Sequence, residues 1–429
     1  MTILNESGIP DVLPPLHAVN GLAERLPGAQ VIVAGTRAEA HLVRSLSPAP
    51  PNGRVVFAAL DPEDPPRQGQ VAGLIEDSIH PGTGFVLLVC GRAASYLGVD
   101  AAFEARLASR KLDLPVEAVY PDAPYPTPGA LSTDLEDHVL AALVGLCPKR
   151  RTSELLEAAS PAKRGGLFGL RGRAREEATG QAHPVVLLGA ALSPGSVAGL
   201  VAELARSGVE VSGVVPDAEG LPPVGEGTVV GVLDPNLAVA AGAARDRGAR
   251  VVRTLLPIGV DGTARFLQDV AAEAGAGSSE VMRARSVWEE LGALRNRVRG
   301  KRIFFAGDTG FEVPLARFLA DAGAVVLEVG APRLDRRFLA EELQALGSGV
   351  DVVVSPDWLG QMKRIEEARP DVVIASPGLH APLVARGHLC RSPRDFVGAG
   401  LHGYEGARRI LELLSGTFDR AEALDALSL

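Results

Sequence analysis

Short apolar runs rich in Val, Ile and Leu, each closed by Gly, Pro or Asp and each followed by an amphipathic stretch, recur along the whole chain and restart twice. The first set is AQVIVAG at 29–35, GRVVFAAL at 53–60, GFVLLVCG at 84–91 and PVEAVYPD at 115–122. The second is HPVVLLGA at 183–190, VEVSGVVP at 209–216, GTVVGVLD at 227–234 and ARVVRTLLP at 249–257. The third is KRIFFAGD at 301–308, AVVLEVGA at 324–331, VDVVVSP at 350–356 and PDVVIASPG at 370–378. Runs apolar at every position are buried on both faces, and strands of that kind alternating with helices build parallel sheets covered on both sides. RAEAHLVRSL at 37–46 and TDLEDHVLAALVGL at 133–146 space their apolar residues three and four apart, as such covering helices require. Three α/β domains with Rossmann-like, doubly wound parallel sheets follow, at 1–150, 183–277 and 300–429. Ligands in such domains bind beyond the carboxyl ends of the strands, where strand order reverses.

Two joints separate the sets. Residues 151–182 read as a basic, Gly-rich linker: between Pro148 and His183 eight Lys and Arg stand against four Glu, in a chain of net charge −9. A solvated linker explains that bias more simply than a dock for an acidic partner or a phosphate. Residues 278–299 read as a bridging helix, with Val281, Val287, Trp288, Leu291 and Leu294 on its apolar face. The acidic balance and an aromatic share of 4% leave neither a basic footprint nor stacking platforms, which argues against nucleic acid as a partner. No apolar run approaches the roughly 18 residues of a membrane span. The first residues lack the basic and apolar regions of a signal peptide, so the expected location is the cytoplasm.

Motif by motif, the chain offers little standard chemistry. Gly35-Thr36-Arg37 has one glycine where a dinucleotide fingerprint needs three, and no P-loop spacing occurs. Cys90, Cys147 and Cys390 are too dispersed for a disulfide framework, and three thiols cannot complete a four-thiolate iron–sulfur site. The best strand-to-helix junction is Gly307 to Pro314, where Asp308 or Thr309 caps the helix and Glu312 lies near its positive end. A second edge runs from Gly378 through His388 to His402, Tyr404 and Glu405. It lacks the compact histidine spacing of a zinc site and reads either as satisfied surface histidines, the simpler explanation, or as polar substrate contacts or proton transfer. His17, His41, His80, His138 and His183 are dispersed and read as structural. Ser193 to Ser196 reads as a helix cap.

Two stretches carry a resemblance: RIFFAGDTGFEVPLARFL at 302–319, and a segment running from RIEEARPDVV at 364–373 through GLHAPLVARGH at 378–388 to HGYE at 402–405. Together with VAGTRAEAHL at 33–42 and PIGVDGT at 257–263 they resemble the N subunit of light-independent protochlorophyllide reductase, a relative of the nitrogenase molybdenum–iron protein. The resemblance implies three nitrogenase-like α/β domains, pairing with a homologous B-like subunit in a heterotetramer, and an ATP-hydrolysing iron–sulfur L-like protein as electron source. Electrons in that family pass through a [4Fe–4S] cluster to reduce one double bond of a bound tetrapyrrole in bacteriochlorophyll synthesis, and ATP belongs to the L-like partner. Three cluster cysteines of the N subunit fall here at Pro14, Glu39 and Arg92. Proline has no ligand atom and arginine does not deprotonate, so no ligand carries over and the resemblance implies a chain that has lost its share of the cluster. Ser392 stands where the family has a tryptophan. A non-catalytic paralogue that binds a tetrapyrrole or a nitrogenase-like partner is the second reading, and a nucleotide-sugar glycosyltransferase the third. Asp308, Glu312, Gly378, His388, His402, Tyr404 and Glu405 are the expected substrate or partner edge, with no catalytic residue and no metal ligand assigned.

Overall fold

The computed structural model describes residues 1–6, 28–45, 54–119, 135–150, 183–189, 197–216, 220–277 and 280–427. The expected cap at Ser193 to Ser196, the linker 151–182 and Pro14 lie outside them. Each of the three sets of runs forms its own sheet, and every strand pairing within them is parallel. The first sheet is ordered Val55–Leu60, Ala29–Thr36, Phe85–Cys90, Val116–Val119. The second is ordered Arg250–Val251, Val229–Val232, Val185–Leu188, Val211–Val215. The third is ordered Ile3–Asn5, Asp351–Val354, Val325–Ala331, Arg302–Ala306, Val372–Ala375, Cys390–Arg391.

In every sheet the first strand after the restart is central, the next lies on one side, and a later one crosses to the other. Order therefore reverses beside Ala29–Thr36, Val185–Leu188 and Arg302–Ala306. The residue types explain why these runs become strands. Val31, Ile32 and Val33, and likewise Ile303, Phe304 and Phe305, are buried on both faces, a position that suits β-branched and aromatic side chains. Helices such as Ala101–Leu112, Val260–Glu273 and Glu312–Asp321 close over the sheets with their apolar faces inward.

Three boundaries differ from the expectation. Ile3–Asn5 does not belong with the first sheet; it pairs in parallel with Asp351–Val354 and forms the outer edge of the third, in register Ile3 to Val352. A strand placed there covers an open sheet edge, and Ile3 adds to the core beneath. Arg364 fixes this return by reaching Glu6 at 2.8 Å and Glu328 at 2.7 Å. The bridging element is two helices, Glu280–Glu290 and Gly292–Val298, not one. The final run of the second set ladders only over Arg250–Val251, at one edge of its sheet.

The three units are not separate globules. One core joins Val31, Leu87 and Leu140 of the first to Leu188, Val230 and Ala240 of the second. Another runs from Leu187 and Phe266 of the second to Phe305 and Phe318 of the third. The long helix Gly403–Leu427 lies across Val197–Arg206, Val260–Glu273 and Gly292–Val298, binding the second and third units along their length. No helix among the described residues is long and apolar enough to cross a membrane.

Candidate functional site

Each reversal point has the same construction: a glycine lies at or just past the end of the central strand and a carboxylate occupies the space its missing side chain leaves. At the first sheet a Cβ on Gly35 would lie 2.5 Å from Oε2 of Glu39. At the second, a Cβ on Gly189 would lie 2.8 Å from Oδ2 of Asp234, and at the third, a Cβ on Gly307 would lie 2.3 Å from Oε1 of Glu312. Any side chain on those glycines would displace the carboxylate.

In the first and third units the carboxylate belongs to a helix cap. Thr36 and Glu39 form a reciprocal capping box. The backbone N–H of Thr36 donates to Oε2 of Glu39 at 2.8 Å, and that of Glu39 donates to the Thr36 hydroxyl at 3.3 Å. Thr309 and Glu312 repeat one half of it, with Thr309 N–H and hydroxyl donating to Oε1 of Glu312 at 2.8 and 3.0 Å, while the N–H of Phe311, not that of Glu312, donates to the Thr309 hydroxyl at 3.4 Å. Glu39 also reaches across the reversal, where the N–H of Ala93 donates to its Oε1 at 3.3 Å. Glu312 is fully buried and its Oε2 has no hydrogen-bond partner. Burial pushes its carboxyl up to about 7, with Asp308 adding to the rise and the Thr309 and Glu312 backbone N–H groups and the Thr309 hydroxyl opposing it.

The second and third reversal points face each other. His402, buried at the head of the long C-terminal helix, places Nε2 3.1 Å from the Leu233 carbonyl and 3.0 Å from Oδ1 of Asp234. Both neighbours accept, so Nε2 carries the proton and donates. Phe311 packs edge-on against the imidazole at 6.3 Å, and the Asn236 amide sits against Gly310, where a side chain would collide with it. Backbone pairing of Ile258 with His402 and a 2.8 Å bond from Gly403 N–H to the Pro257 carbonyl close the joint. Asp308, also buried, is held by Arg394.

The structure thus gathers Asp308, Glu312 and His402 on one edge, with Gly378 nearby. Gly378 opens the helix Pro377–Ala385 just after Ser376, whose N–H bonds the Ala306 carbonyl at 2.8 Å. The other expected residues go elsewhere. His388 precedes the parallel strand Cys390–Arg391 and so falls at the opposite end of the sheet, beside Lys301 and Asp371 in an open groove of about 660 Å³. Tyr404 is buried beneath Arg283, whose guanidinium lies 5.6 Å from the ring centre, and Glu405 is exposed, pairing with Arg409 at 3.3 Å. Asp234, Asn236 and Arg394 are participants that the motif search passed over. The repeated T-x-x-E spacing at 36–39 and 309–312 was the available signal for the caps; Asp234 gives no signal until His402 is folded against it.

The body is built on three parallel sheets, each with a carboxylate at its strand reversal. The family described as nitrogenase component 1 type oxidoreductase matches residues 137–419, and the chain belongs to that family. A solved structure titled "Nitrogenase Cp1 at pH 6.5" shares the fold with a TM-score of 0.69 at 13% identity, covering 98% of this chain and 94% of that one. Among named relatives, the chain is 34% identical to light-independent protochlorophyllide reductase subunit N of Roseiflexus sp. (strain RS-1), over 99% of this chain and 96% of that protein. It is 32% identical to the subunit N of Heliobacterium modesticaldum (strain ATCC 51547 / Ice1), over 98% and 97%. These relatives give no support to the glycosyltransferase reading.

The residues at the family's cluster positions do not fit an iron–sulfur cluster. Glu39 is engaged by Thr36 and Ala93, and Arg92 opens the helix Arg92–Tyr96 with a side-chain type that cannot become an anionic ligand. Cys90, two residues earlier, is the nearest thiol. Burial, then the charges of Glu104 and Glu39, push its thiol up to about 12. Among the described residues no group of three or more His, Cys, Asp and Glu converges as a metal site.

Proposed function

We propose that this chain is the N-type subunit of a nitrogenase-like, ATP-dependent reductase that reduces one ring double bond of a tetrapyrrole. In this reading it pairs with a homologous B-like chain and receives electrons from an ATP-hydrolysing, iron–sulfur L-like protein, in the cytoplasm. The observation that carries the reading is similarity to subunit N proteins over nearly the whole of both chains, in a fold retained from first sheet to last. The absence of a P-loop from the sequence agrees with ATP acting on the partner.

Asp308, Glu312, Gly378 and His402 form the substrate or partner edge in this reading. His402 is held by Asp234 and the Leu233 carbonyl, and Asp308 by Arg394. Held groups of this kind orient a polar substituent without the entropy loss of ordering free side chains. No cluster ligand comes from this chain, and no electron-transfer step is assigned to its residues. A reconstituted mixture of this chain with B-like and L-like proteins, ATP and reductant is expected to reduce a protochlorophyllide-type tetrapyrrole only when all three proteins are present. Equal turnover without this chain would remove the assignment.

A further inference from the structure

We infer that Glu39 is a hydrogen-bonded lock standing where the family places a cluster ligand: it ties together the two strand-to-helix junctions of the first sheet and binds no iron. The comparison with a ligand rests on the family reading; the lock itself rests on geometry alone.

Three observations support it. First, both carboxylate oxygens are used, Oε2 by the N–H and hydroxyl of Thr36 at 2.8 and 3.3 Å, and Oε1 by the N–H of Ala93 at 3.3 Å. Thr36 ends the strand Ala29–Thr36, and Ala93 lies in the helix that follows Phe85–Cys90, so one side chain spans the reversal. Reaching an external metal would leave the Thr36 and Ala93 N–H groups without their acceptor.

Second, the slot is cut to the carboxylate. Gly35 and Gly91 flank it, and a Cβ on either would approach Glu39 oxygens to 2.5 and 2.7 Å. Neither glycine needs a left-handed backbone there, Gly91 having φ −64°, so the space and not the conformation excludes a side chain. Third, Glu312 accepts the N–H and hydroxyl of Thr309 in the third unit as Glu39 accepts those of Thr36, at a position where the family has no ligand. The first unit therefore carries the ordinary junction of this fold. Its extra bond to Ala93 links the two segments, 36–39 and 91–93, that would otherwise share a metal.

Substitution in the full-length chain separates the possibilities. In Glu39→Gln one acceptor oxygen becomes an NH₂ donor, so either Thr36 or Ala93 must lose its bond. Glu39→Asp keeps the charge but is one methylene shorter, so it holds Thr36 and releases Ala93. Amide exchange read by mass spectrometry is expected to quicken roughly tenfold in the peptide containing Ala93 in Glu39→Asp, and in the peptide containing Thr36 or the one containing Ala93 in Glu39→Gln, matching one lost hydrogen bond. Wild type and both variants are expected to retain no iron after incubation with ferrous iron and sulfide. Unchanged exchange in both variants overturns the lock, as does iron held by wild type and lost in Glu39→Gln. Neither readout involves a partner or a tetrapyrrole, so this inference fails separately from the reductase assignment.

Discussion

Replacing Arg317 by methionine is expected to lower stability by about 3–5 kcal/mol, the cost of stranding a buried charge. Arg317 is 1% exposed and Glu342 equally buried. Nε of Arg317 donates to Oε2 of Glu342 at 2.6 Å, Nη1 to Asp321 at 3.2 Å, and Nη2 to the Ile258 carbonyl at 2.8 Å. Glu342 in turn accepts the Leu256 N–H on its other oxygen at 2.7 Å. One ion pair thereby clamps the segment Leu256–Ile258, which connects the second sheet to the helix Val260–Glu273, onto the third unit. Without the guanidinium, Glu342 remains in the core unpaired. Asp321, already pushed up to about 6 by burial and by Asp261 against the pull of Arg317, rises further. Denaturant unfolding of the full chain reads the loss, and the double variant R317M/E342L is expected to recover most of it. A loss under about 1 kcal/mol for R317M would show that the clamp is not what holds the units together.

Glu312 gives the second large effect, and its sign depends on pH. Its carboxyl titrates at about 7 in the folded protein against an ordinary 4.5. A folded pKa above the unfolded one means the neutral form stabilises: the contribution is complete below the ordinary value and is lost as pH rises through about 7. The difference corresponds to roughly 3 kcal/mol. Glu312→Gln keeps an acceptor oxygen for Thr309 and cannot ionise. It is therefore expected to exceed wild type by up to about 3 kcal/mol near pH 8 and to match it near pH 4.5. Paired unfolding curves at the two pH values test this. A gap that is constant across pH would place the titration elsewhere.

How far the sequence alone reached depended on the range of the interactions. Strands such as Ala29–Thr36 and Arg302–Ala306 were legible because burial on both faces writes itself into consecutive residues. The helix at 37–45 was legible for the same local reason, through its periodicity. The return of Ile3–Asn5 to the third sheet was not, since three residues carry no period and their partner lies some 350 positions away. The division of the edge residues was equally hidden. His402 and Asp234 converge because two units pack, whereas His388 leaves the edge because its strand runs parallel and places it at the opposite end. Glu39 marks the boundary between the two cases. Its cap is local and follows from T-x-x-E, but its bond to Ala93 joins residues 54 apart and depends on strand order.

The account as a whole holds that this protein keeps a nitrogenase-type body while its own residues at the cluster positions bind no iron. The most direct test is iron and acid-labile sulfide measured on this chain co-purified anaerobically with its B-like partner, with wild type and Glu39→Gln compared. The account predicts the same iron content in both, with none bound through this chain. Four irons per pair in wild type that disappear in Glu39→Gln would contradict it.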